Sequence, residues 1–409
     1  MTHDKARGLD RLPLTFNELA LVLAIVLAIG LTAWIDPNHS YITAEGASYA
    51  APEIARNMSL LGIFALGALV VIISGGIDLS AGSMIAFSAT VFGCAMVILA
   101  PDAMRDAKVN VPGWVVAVAM GASILSGLLV GTLHAWLITS VRLPPFVATL
   151  ATLVGLRSFA RILLDYTMRV FADSASAGQI NFYEPIRNSI KSVPVLVTVF
   201  GILAILTWLM LSRTVLGRHI YALGGNEHAA RLSGIRTDRV KWFAYCFASV
   251  TASIAGILYM ASEGSASPST QATGHELYAI AAAVVGGCSL QGGVGTVLGT
   301  VLGALFLRVI IDAVPRLIPT GSEVYEGLIV GIVVVIAVAF SQLRQVTSSG
   351  RQLFPGLLGW IAIPILAMFF GLMVTMSFSV NAGVATGVGT LALLMGMKVW
   401  EGWRSRHAS

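Results

Sequence analysis

The stretch LLGIFALGALVVIISGGIDLSAGSMIAFSAT, residues 60–90, places one charged residue, Asp78, between two apolar runs. A helix needs about 20 apolar residues to span a hydrocarbon core, so the runs on either side of Asp78 predict two transmembrane helices. The rest of the chain continues this pattern, because 56% of its 409 residues are hydrophobic and only 11% are charged. Soluble domains contain roughly 25% charged residues. The sequence therefore predicts an all-α integral membrane protein and argues against a soluble catalytic domain.

The same length rule predicts ten spans in the first 345 residues, at about 18–35, 54–74, 79–100, 114–139, 143–164, 193–212, 241–261, 276–286, 294–312 and 323–341. The eighth is too short to cross alone and ends at Gly286 and Gly287, which predicts a broken or re-entrant helix. Two further spans, at about 355–376 and 383–400, form an extra hairpin with an uncharged link around Asn381. The predicted fold is a ten-helix core with broken helices and a two-helix C-terminal hairpin, twelve spans in all.

Lysine and arginine in short loops indicate the orientation of a membrane protein, because they are retained on the cytoplasmic side. Three of them precede the first span, and six lie in residues 213–241 against two acids. The first span is expected to remain uncleaved, since its apolar run exceeds that of a signal peptide and no A-x-A site follows it. The predicted divisions are a cytoplasmic N-terminus at 1–17, a core at 18–345 with a cytoplasmic loop at 213–240, the extra hairpin at 346–400 and a cytoplasmic tail at 401–409.

Two segments of the chain resemble each other. GGIDLSAGS (75–83) and GGCSLQGGV (286–294) share the pattern G-G-x-[D/S]-L-x-x-G, each after a valine-rich run and before another span. Transporters often carry such repeats, with interrupted helices near the substrate route. We expect two parallel copies on the cytoplasmic side, with Asp78 opposite Ser289. The alternative is a chance likeness between two glycine-rich turns.

Glycines at every fourth position mark two helices. Gly295, Gly299 and Gly303 form one such series, and Gly127 and Gly131 repeat the spacing in the fourth span. A face of this kind lets another helix backbone approach closely. We expect both faces to pack against helices of the same subunit rather than between subunits.

Motifs for catalysis and metal binding are absent from the sequence. There is no G-x-x-x-x-G-K-[S/T] phosphate loop and no H-E-x-x-H zinc motif. Cys94, Cys246 and Cys288 are widely spaced inside apolar runs, which indicates small core residues rather than disulfides or metal ligands. We therefore expect no catalytic residue, metal or cofactor in this chain, no nucleic-acid partner, and any ATP hydrolysis in a partner subunit.

Few titratable residues lie inside the apolar runs. Asp78 is the only plausible intramembrane carboxylate of the kind that ion-coupled carriers use. Arg308 and Asp312 have the spacing of an ion pair on one helical face. We expect His134 to be an interior histidine with satisfied hydrogen bonds rather than part of a proton relay.

The 213–240 loop contains signals for a short exposed helix. Asn226 precedes Glu227 as a helix start signal, and Gly234 follows Ala-Ala-Arg-Leu-Ser as a stop signal. A simple connector between two spans does not need a small, defined helix. The segment is therefore the most informative one in the chain.

This loop and three other segments resemble the permease subunits of ribose/xylose/arabinose-type ABC importers. The likeness covers roughly residues 54–345 and rests on VVIISGGIDLSAGSM, RLPPFVATLATLVGLR, the loop that contains GGNEHAARLSGIR, and GHELYAIAAAVVGGCSLQGGVGTVLGTVLGALF. It implies an inner-membrane homodimer, an ATPase subunit with two fused nucleotide-binding halves and a periplasmic sugar-binding protein. It also implies a coupling helix seated in the ATPase, made of Gly225, Asn226, Glu227, Ala230, Arg231, Leu232, Ser233 and Gly234. The extra hairpin departs from the commonest family pattern.

The expected function is import of a monosaccharide or similar small polyol by alternating access. The path of an uncharged sugar should be lined by small, polar and aromatic groups, and candidates near helix breaks or prolines are Asn57, Ser59, Ser74, Asp78, Ser80, Phe146 and Thr149. The alternative is an ion-coupled secondary carrier, which would depend on a buried carboxylate. The hairpin is expected to be a peripheral, stabilising appendage, since it contains almost no intramembrane polar groups.

Overall fold

The computed structural model describes residues 16–36, 38–102, 110–172, 178–182, 186–317, 327–328, 331–332, 335, 356–377 and 379–407. Nine of the helices in these ranges are long and apolar enough to cross a membrane, and two shorter apolar helices lie at His275–Val285 and Trp360–Leu372. Each predicted span except the tenth therefore corresponds to an apolar helix, which confirms the all-α membrane fold. The tenth, at 323–341, lies outside the described residues apart from five positions.

Among the described residues, the elements are almost all helices. The helices are α1 Phe16–Ile35, α2 Ala44–Ile73, α3 Ala81–Leu99, α4 Gly113–Thr139, α5 Pro145–Phe171, α6 Ile186–Ile190, α7 Val193–Arg213, α8 Val215–Gly225, α9 Glu227–Leu232, α10 Thr237–Glu263, α11 His275–Val285, α12 Val297–Leu317, α13 Gly356–Ser377 and α14 Val380–His407. Strands β1 (Ile180–Asn181) and β2 (Ser265–Ala266) pair antiparallel.

Several helices are longer than their apolar windows. α2 begins at Ala44 rather than near residue 54, because Thr43 caps its start by accepting a hydrogen bond from the Gly46 amide at 3.3 Å. α5 continues to Phe171 rather than ending near 164, since its charged residues favour water but do not break a helix. The apolar windows correctly identify the spans, whereas the caps determine where the helices end.

The centre of the bundle is built on α2, α3 and α10. α2 packs against α7, α10, α11 and α12, and α3 packs against α4, α5 and α10. Burial along α2 is nearly complete from Ser59 to Ser74, whereas α7 and one face of α5 carry exposed apolar side chains. The buried helices therefore form an inner layer, and the helices with exposed apolar faces form an outer layer suited to lipid.

Small residues allow close helix contacts inside this unit. An added Cβ on Gly131 would lie 2.5 Å from Cys246 Cα, and one on Gly127 would lie 2.8 Å from the Ser249 carbonyl. Gly299 and Gly303 of α12 meet backbone of Gly286 and of α11 in the same way. Both glycine faces pack within the subunit, as the sequence predicts, and the three cysteines are free and buried.

The ion pair expected between Arg308 and Asp312 does not form. Asp312 Oδ2 instead accepts hydrogen bonds from Arg316 Nε at 2.8 Å and from the Tyr41 hydroxyl at 2.7 Å. The i, i+4 spacing is the same for both arginines, but Tyr41 from the loop before α2 stands on the Arg316 side, with the guanidinium carbon 4.9 Å from its ring centroid. A residue from another part of the chain therefore selects the partner.

The chain divides into two compact units, Met1–Ala337 and Val338–Ser409. In the second unit α13 and α14 pack together, and an added Cβ on Gly371 would lie 3.0 Å from the Gly383 carbonyl and 3.1 Å from Gly387 Cα. Asn381 lies in the first turn of α14 rather than in the link. α14 also continues to His407, past the expected end near residue 400, since no proline interrupts it.

Candidate translocation and coupling site

The helices α2 and α3 are separated by a short segment without helix or strand, residues 76–80. α2 ends at Ile73, Gly75 adopts φ 83°, and α3 begins at Ala81. Asp78 Oδ1 accepts hydrogen bonds from the Ser80 amide at 2.8 Å and the Ser80 hydroxyl at 2.6 Å, and both side chains are buried. The sequence predicts a helix start near residue 79, which is two residues before the observed start. The Asp78 carboxylate binds Ser80, the N-cap residue, and the helix begins only after it.

Side chains of α5 and α10 contact this segment. Thr149 Oγ1 accepts a hydrogen bond from the Leu79 amide at 3.1 Å and lies 3.3 Å from the Ile77 carbonyl. An added Cβ on Gly76 would meet the hydroxyl of the buried Tyr245. A hydrogen bond from α5 and a close contact from α10 thus hold the backbone of this segment.

The ring of His134 lies next to the ring of Tyr245. Its Nε2 lies 2.6 Å from Thr152 Oγ1, and its ring is 6.2 Å from the Tyr245 ring. Its Nδ1 is buried and has no hydrogen-bond partner in the part of the chain that the structure describes. The expected interior histidine is present, but only one of its two nitrogens is satisfied.

The candidate path residues fall into two groups. Ser74, Asp78, Ser80 and Thr149 lie together at the segment or beside it, whereas Asn57 and Ser59 lie on α2 at least ~20 Å away along the helix axis, by the 1.5 Å rise per residue. Phe146 is 52% exposed on α5. Asn57 and Ser59 both make hydrogen bonds within α2. The Asn57 side-chain amide donates to Glu53 at 2.6 Å, and the Ser59 hydroxyl donates to the Ala55 carbonyl at 2.7 Å.

A second turn of the same type ends α11. The amide of Gly75 donates to the Ile72 carbonyl at 2.9 Å, and the amide of Gly287, with φ 93°, donates to the Val284 carbonyl at 2.9 Å. The structural partner of Gly75 is therefore Gly287, whereas the sequence pattern pairs Gly75 with Gly286. The expected placement of Asp78 opposite Ser289 is wrong by one residue, because the pattern matches letters while the positive-φ position defines the turn.

The loop that begins with the second turn, residues 286–296, meets the first turn in space. The Gly293 amide donates to the Ile73 carbonyl at 2.8 Å. An added Cβ on Gly224 would collide with that carbonyl and lie 2.5 Å from the Gly293 amide, and one on Gly292 would lie 2.9 Å from Gly75 Cα. We call Gly75, Gly224, Gly292 and Gly293 the glycine junction. It joins both turns to α8 at one end of the bundle.

The helix α8, which the sequence analysis did not predict, leads from this junction. Thr214 caps it by accepting a hydrogen bond from the Gly217 amide at 3.1 Å. Burial raises the pKa of Tyr221, and its hydroxyl donates to the Gly295 carbonyl at 2.8 Å. The threonine cap was the available sequence signal, but the amphipathic run after it is too short to stand out beside the spans.

The short helix α9 has the caps that the sequence predicts. Asn226 Oδ1 accepts a hydrogen bond from the Ala229 amide at 2.9 Å, and Gly234 has φ 83° with its amide donating to the Arg231 carbonyl at 3.0 Å. Ala230 is buried, whereas Leu232 is 77% exposed. The remaining expected coupling residues, Gly225, Glu227 and Ser233, belong to the same turn or flank it.

Ion pairs fix α9 to the start of α10. Lys241 Nζ lies 2.7 Å from Glu227 Oε1, and Arg231 Nη2 lies 3.4 Å from the same oxygen. Arg231 also reaches Asp238 at 3.6 Å and Thr237 at 3.0 Å. α9 is therefore a short, charged helix with one exposed leucine, joined to α10 by partly exposed ion pairs.

Two cavities lie beside α9. A cavity of about 370 Å³ is lined by Ser74, Gly75, Gly76, Ile138, Pro145, Leu223, Gly224, Gly225, Asn226, Glu227, Lys241, Tyr245 and Gln291. A second of about 430 Å³ is lined by Ile138, Thr139, Arg142, Leu143, Pro144, Pro145, Glu227, Arg231, Asp238 and Lys241. Both fall in the size range of small-molecule sites, about 300–1,000 Å³.

A family model described as branched-chain amino acid transport system / permease component matches residues 51–338. The match includes the 76–80 segment, the glycine junction and α9, and it stops before the C-terminal hairpin. It therefore covers the whole of the candidate site.

Relatives of known description align over most of the chain. The ribose import permease protein RbsC of Escherichia coli (strain K12) is 33% identical over 331 residues, which is 80% of this chain and 94% of the relative. RbsC of Bacillus subtilis (strain 168) is 33% identical over 72% of this chain and 84% of the relative. The autoinducer 2 import system permease protein LsrC of E. coli (strain K12 / DH10B) is 32% identical over 79% and 86%. No solved structure matches the chain significantly.

Proposed function

Because the chain belongs to the branched-chain amino acid transport system / permease component family, we propose that it is the membrane-spanning subunit of an ATP-driven importer for a monosaccharide or similar small polyol. The observation that carries this proposal is the alignment with the ribose import permease of E. coli over 94% of its length. The family description names amino acids, whereas these relatives are named for ribose, which favours a neutral polyhydroxylated substrate.

The proposed partners are an ATPase subunit with two fused nucleotide-binding halves, a periplasmic sugar-binding protein and a second copy of this chain. The sequence has no phosphate-binding loop of its own, which supports ATP hydrolysis in a separate subunit. The exposed Leu232 and the charged groups of α9 suit a contact with a soluble protein. Residues 225–234 would then act as the coupling helix.

The proposed mechanism is alternating access. ATP favours the closed state of the ATPase, and this differential binding shifts the permease between outward-open and inward-open states. Movement of α9 would reach the 76–80 segment through α8 and the glycine junction, since Gly224 touches the Ile73 carbonyl and the Gly293 amide. The permease itself would perform no covalent chemistry.

The proposed location is a bacterial inner membrane, with both termini in the cytoplasm. The loops after α2, α8 and α11 share one end of the bundle at the glycine junction. The excess of lysine and arginine in the loop after α8 supports a cytoplasmic position for that end.

The assignment of α9 can be tested with Gly234→Val in the transporter reconstituted with its ATPase and binding protein. A β-branched residue opposes the positive φ of this cap, at roughly 1–2 kcal/mol, and should distort α9. We expect uptake per ATP hydrolysed and substrate-stimulated ATPase activity to fall severalfold.

Gly178→Val is the matched control, because Gly178 has φ 77° and an added Cβ there would meet nothing within 4 Å, but it lies far from α9 in the chain. It should leave coupling unchanged. Full substrate-stimulated ATPase activity in Gly234→Val would show that residues 225–234 are not the coupling helix. Uptake of D-ribose and other neutral sugars with and without ATP tests the importer class itself.

A further inference from the structure

The backbone between α10 and α11 is irregular at the depth of the membrane. α10 starts beside α9 and ends at Glu263, at the opposite end of the bundle. α11 ends at Val285 near the glycine junction, and its 11 residues rise about 16 Å, roughly half of a hydrocarbon core. Residues 264–274 therefore run from the far end of the bundle to its middle without forming a helix. We call them the re-entrant segment.

Contacts with two other helices confirm the depth of this segment. Arg157 lies near the middle of α5, and its Nη1 donates to the Pro268 carbonyl at 3.1 Å and to the Gln271 carbonyl at 3.0 Å. The Phe64 ring, about 14 Å before the end of α2, lies 6.1 Å from the His275 ring that follows the segment. The re-entrant segment thus reaches the middle of the bundle.

The segment also adjoins the candidate path. An added Cβ on Gly82, in the first turn of α3, would lie 2.5 Å from the Ala272 carbonyl and would collide with the Glu276 carboxylate. Gly82 follows the 76–80 segment by two positions. The two irregular stretches of backbone are therefore neighbours.

Several hydroxyl side chains of the re-entrant segment are exposed, namely those of Ser269, Thr270 and Thr273. Irregular backbone occurs at membrane depth only where it is buried in protein or lines a water-filled cavity, because lipid tails cannot satisfy its polar groups. Exposed hydroxyls on such backbone do not suit contact with lipid. They suit a water-filled route through the bundle.

Buried polar atoms at a similar depth have unused hydrogen-bonding capacity. Gln271 Oε1, Glu276 Oε2 and Arg308 Nε have no hydrogen-bond partner in the part of the chain that the structure describes. Arg308 lies about 16 Å into α12, which matches the depth of the α11 start. Buried polar atoms usually have a protein or water partner. Water that reaches the middle of the bundle would satisfy these atoms.

The exposed threonines can accept hydrogen bonds. The Thr273 hydroxyl donates to the Thr270 carbonyl at 2.9 Å, and the Thr270 hydroxyl donates to the Ser267 hydroxyl at 3.1 Å. Each threonine oxygen spends its single proton inside the segment and keeps lone pairs for another donor. The hydroxyl groups of a sugar can supply that donor.

We propose that the re-entrant segment lines the water-filled middle of the substrate path, and that Thr273 accepts a hydrogen bond from a neutral polyhydroxylated substrate there. The proposal rests on the function proposed above and deepens it. It adds a substrate contact to the candidate path residues around Asp78.

Chemical labelling distinguishes a water-filled path from lipid. Thr273→Cys is made in the full transporter, embedded in lipid nanodiscs that leave both membrane faces open, and is treated with a charged methanethiosulfonate with and without ATP. A thiol reacts as its thiolate, which forms in water but not in hydrocarbon. The native cysteines are buried, and labelling of the parent protein is subtracted.

Ile202→Cys is the matched control, because Ile202 is 53% exposed near the middle of α7, among exposed apolar side chains. We expect Thr273→Cys to react about tenfold faster than this control in at least one nucleotide state. Thr270→Cys is a second reporter and should behave in the same way. Rates at both reporters no higher than at the control would overturn the proposal, whether lipid or a second copy of the chain covers the segment.

The substrate contact is tested by uptake at saturating sugar and binding protein. Thr273→Val keeps the shape of the side chain and removes its hydroxyl, so the rate should fall about fivefold, the factor for one neutral hydrogen bond. Thr273→Ser keeps the hydroxyl and should retain most of the parent rate. Thr132→Val is the control, because Thr132 is exposed on α4 and its hydroxyl donates to the Leu128 carbonyl at 2.7 Å. It loses a similar local hydrogen bond and should import normally.

Unchanged uptake in Thr273→Val, or an equal loss in Thr273→Ser, would reject the substrate contact. Uptake by the unaltered transporter is measured first, with D-ribose, D-xylose and L-arabinose, and the sugar imported fastest is used for the variants. Failure of ATP-driven uptake with every neutral sugar tried would reject the proposed function. Normal uptake together with slow labelling of both reporters would reject the path-lining segment alone.

Discussion

The turns that end α2 and α11 have the same backbone hydrogen bonds and opposite surroundings. After Gly75 the chain enters the bundle, where Asp78 and Ser80 are buried and α3 begins at Ala81. After Gly287 it stays at the end of the bundle, with Gln291 exposed, and α12 begins only at Val297. A pair of glycines thus defines where a helix ends, whereas the residues after it determine whether the next segment is buried.

The difference in burial follows from the neighbours of each segment, the one after Gly75 and the one after Gly287. The first one lies against α5 and α10, whose Thr149 and Tyr245 contact its backbone. The second one packs against α8 and the first turn, through the Gly293 amide and the Ile73 carbonyl. The first turn therefore lies at the candidate path, and the loop after the second turn joins it to α8, which leads to α9.

The largest effect on stability and uptake is expected from a substitution at Gly224 in the glycine junction. Gly224→Ala places a methyl group on the Ile73 carbonyl, and overpacking of this kind costs about 1–3 kcal/mol. We expect a lower thermal unfolding midpoint in detergent and almost complete loss of uptake. Gly201→Ala on α7 is the control, since its added Cβ has nothing within 4 Å.

Wild-type stability and uptake in Gly224→Ala would mean that the contact between α8 and the two turns is not tight. α8 would then not connect the two turns.

A smaller effect separates the two turns from each other. Gly75→Ala and Gly287→Ala each force alanine into a positive φ, at about 1–2 kcal/mol. We expect similar losses of stability but unequal losses of function. Gly75 adjoins the 76–80 segment, so uptake per folded molecule should fall severalfold more in Gly75→Ala than in Gly287→Ala.

The readouts for this pair are the unfolding midpoint and the initial rate of uptake, each corrected for the amount of folded transporter. Equal uptake in the two variants would contradict the assignment of the first turn to the path.

The smallest effect is expected at Asp78 and Ser289, the two polar positions that the sequence pattern aligns. Asp78→Asn keeps an oxygen that can accept from the Ser80 amide and hydroxyl, so most uptake should remain and its pH profile should not change. Ser289→Ala, on the second turn, should have no measurable effect. Loss of uptake together with loss of proton dependence in Asp78→Asn would favour the ion-coupled carrier.

The sequence alone predicts much of the local structure. Apolar run length identifies the spans, and Asn226 and Gly234 identify α9, because hydrophobic burial and helix capping depend on residues close together in the chain. The same reasoning places α2 ten residues late and misses α8. Their starts depend on threonine caps, Thr43 and Thr214, that an apolar window does not register.

The candidate site could be predicted only in part. Ser74, Asp78, Ser80 and Thr149 were found because they flank helix breaks or prolines. Tyr245 and Lys241 were not, since nothing in their neighbourhood along α10 distinguishes them from packing residues. Their proximity to Gly76 and Glu227 comes from helix packing.

The sequence by itself determined that this protein is a bundle of membrane helices, which helices break at glycines, and where α9 begins and ends. Only the tertiary structure decided which turn faces the bundle interior, that Asp312 pairs with Arg316, and that Gly224 joins both turns. The physical reason is the range of the interactions. Capping and hydrophobic periodicity act within a few residues, whereas the contact between Gly293 and Ile73 joins distant residues that only the packed bundle brings together.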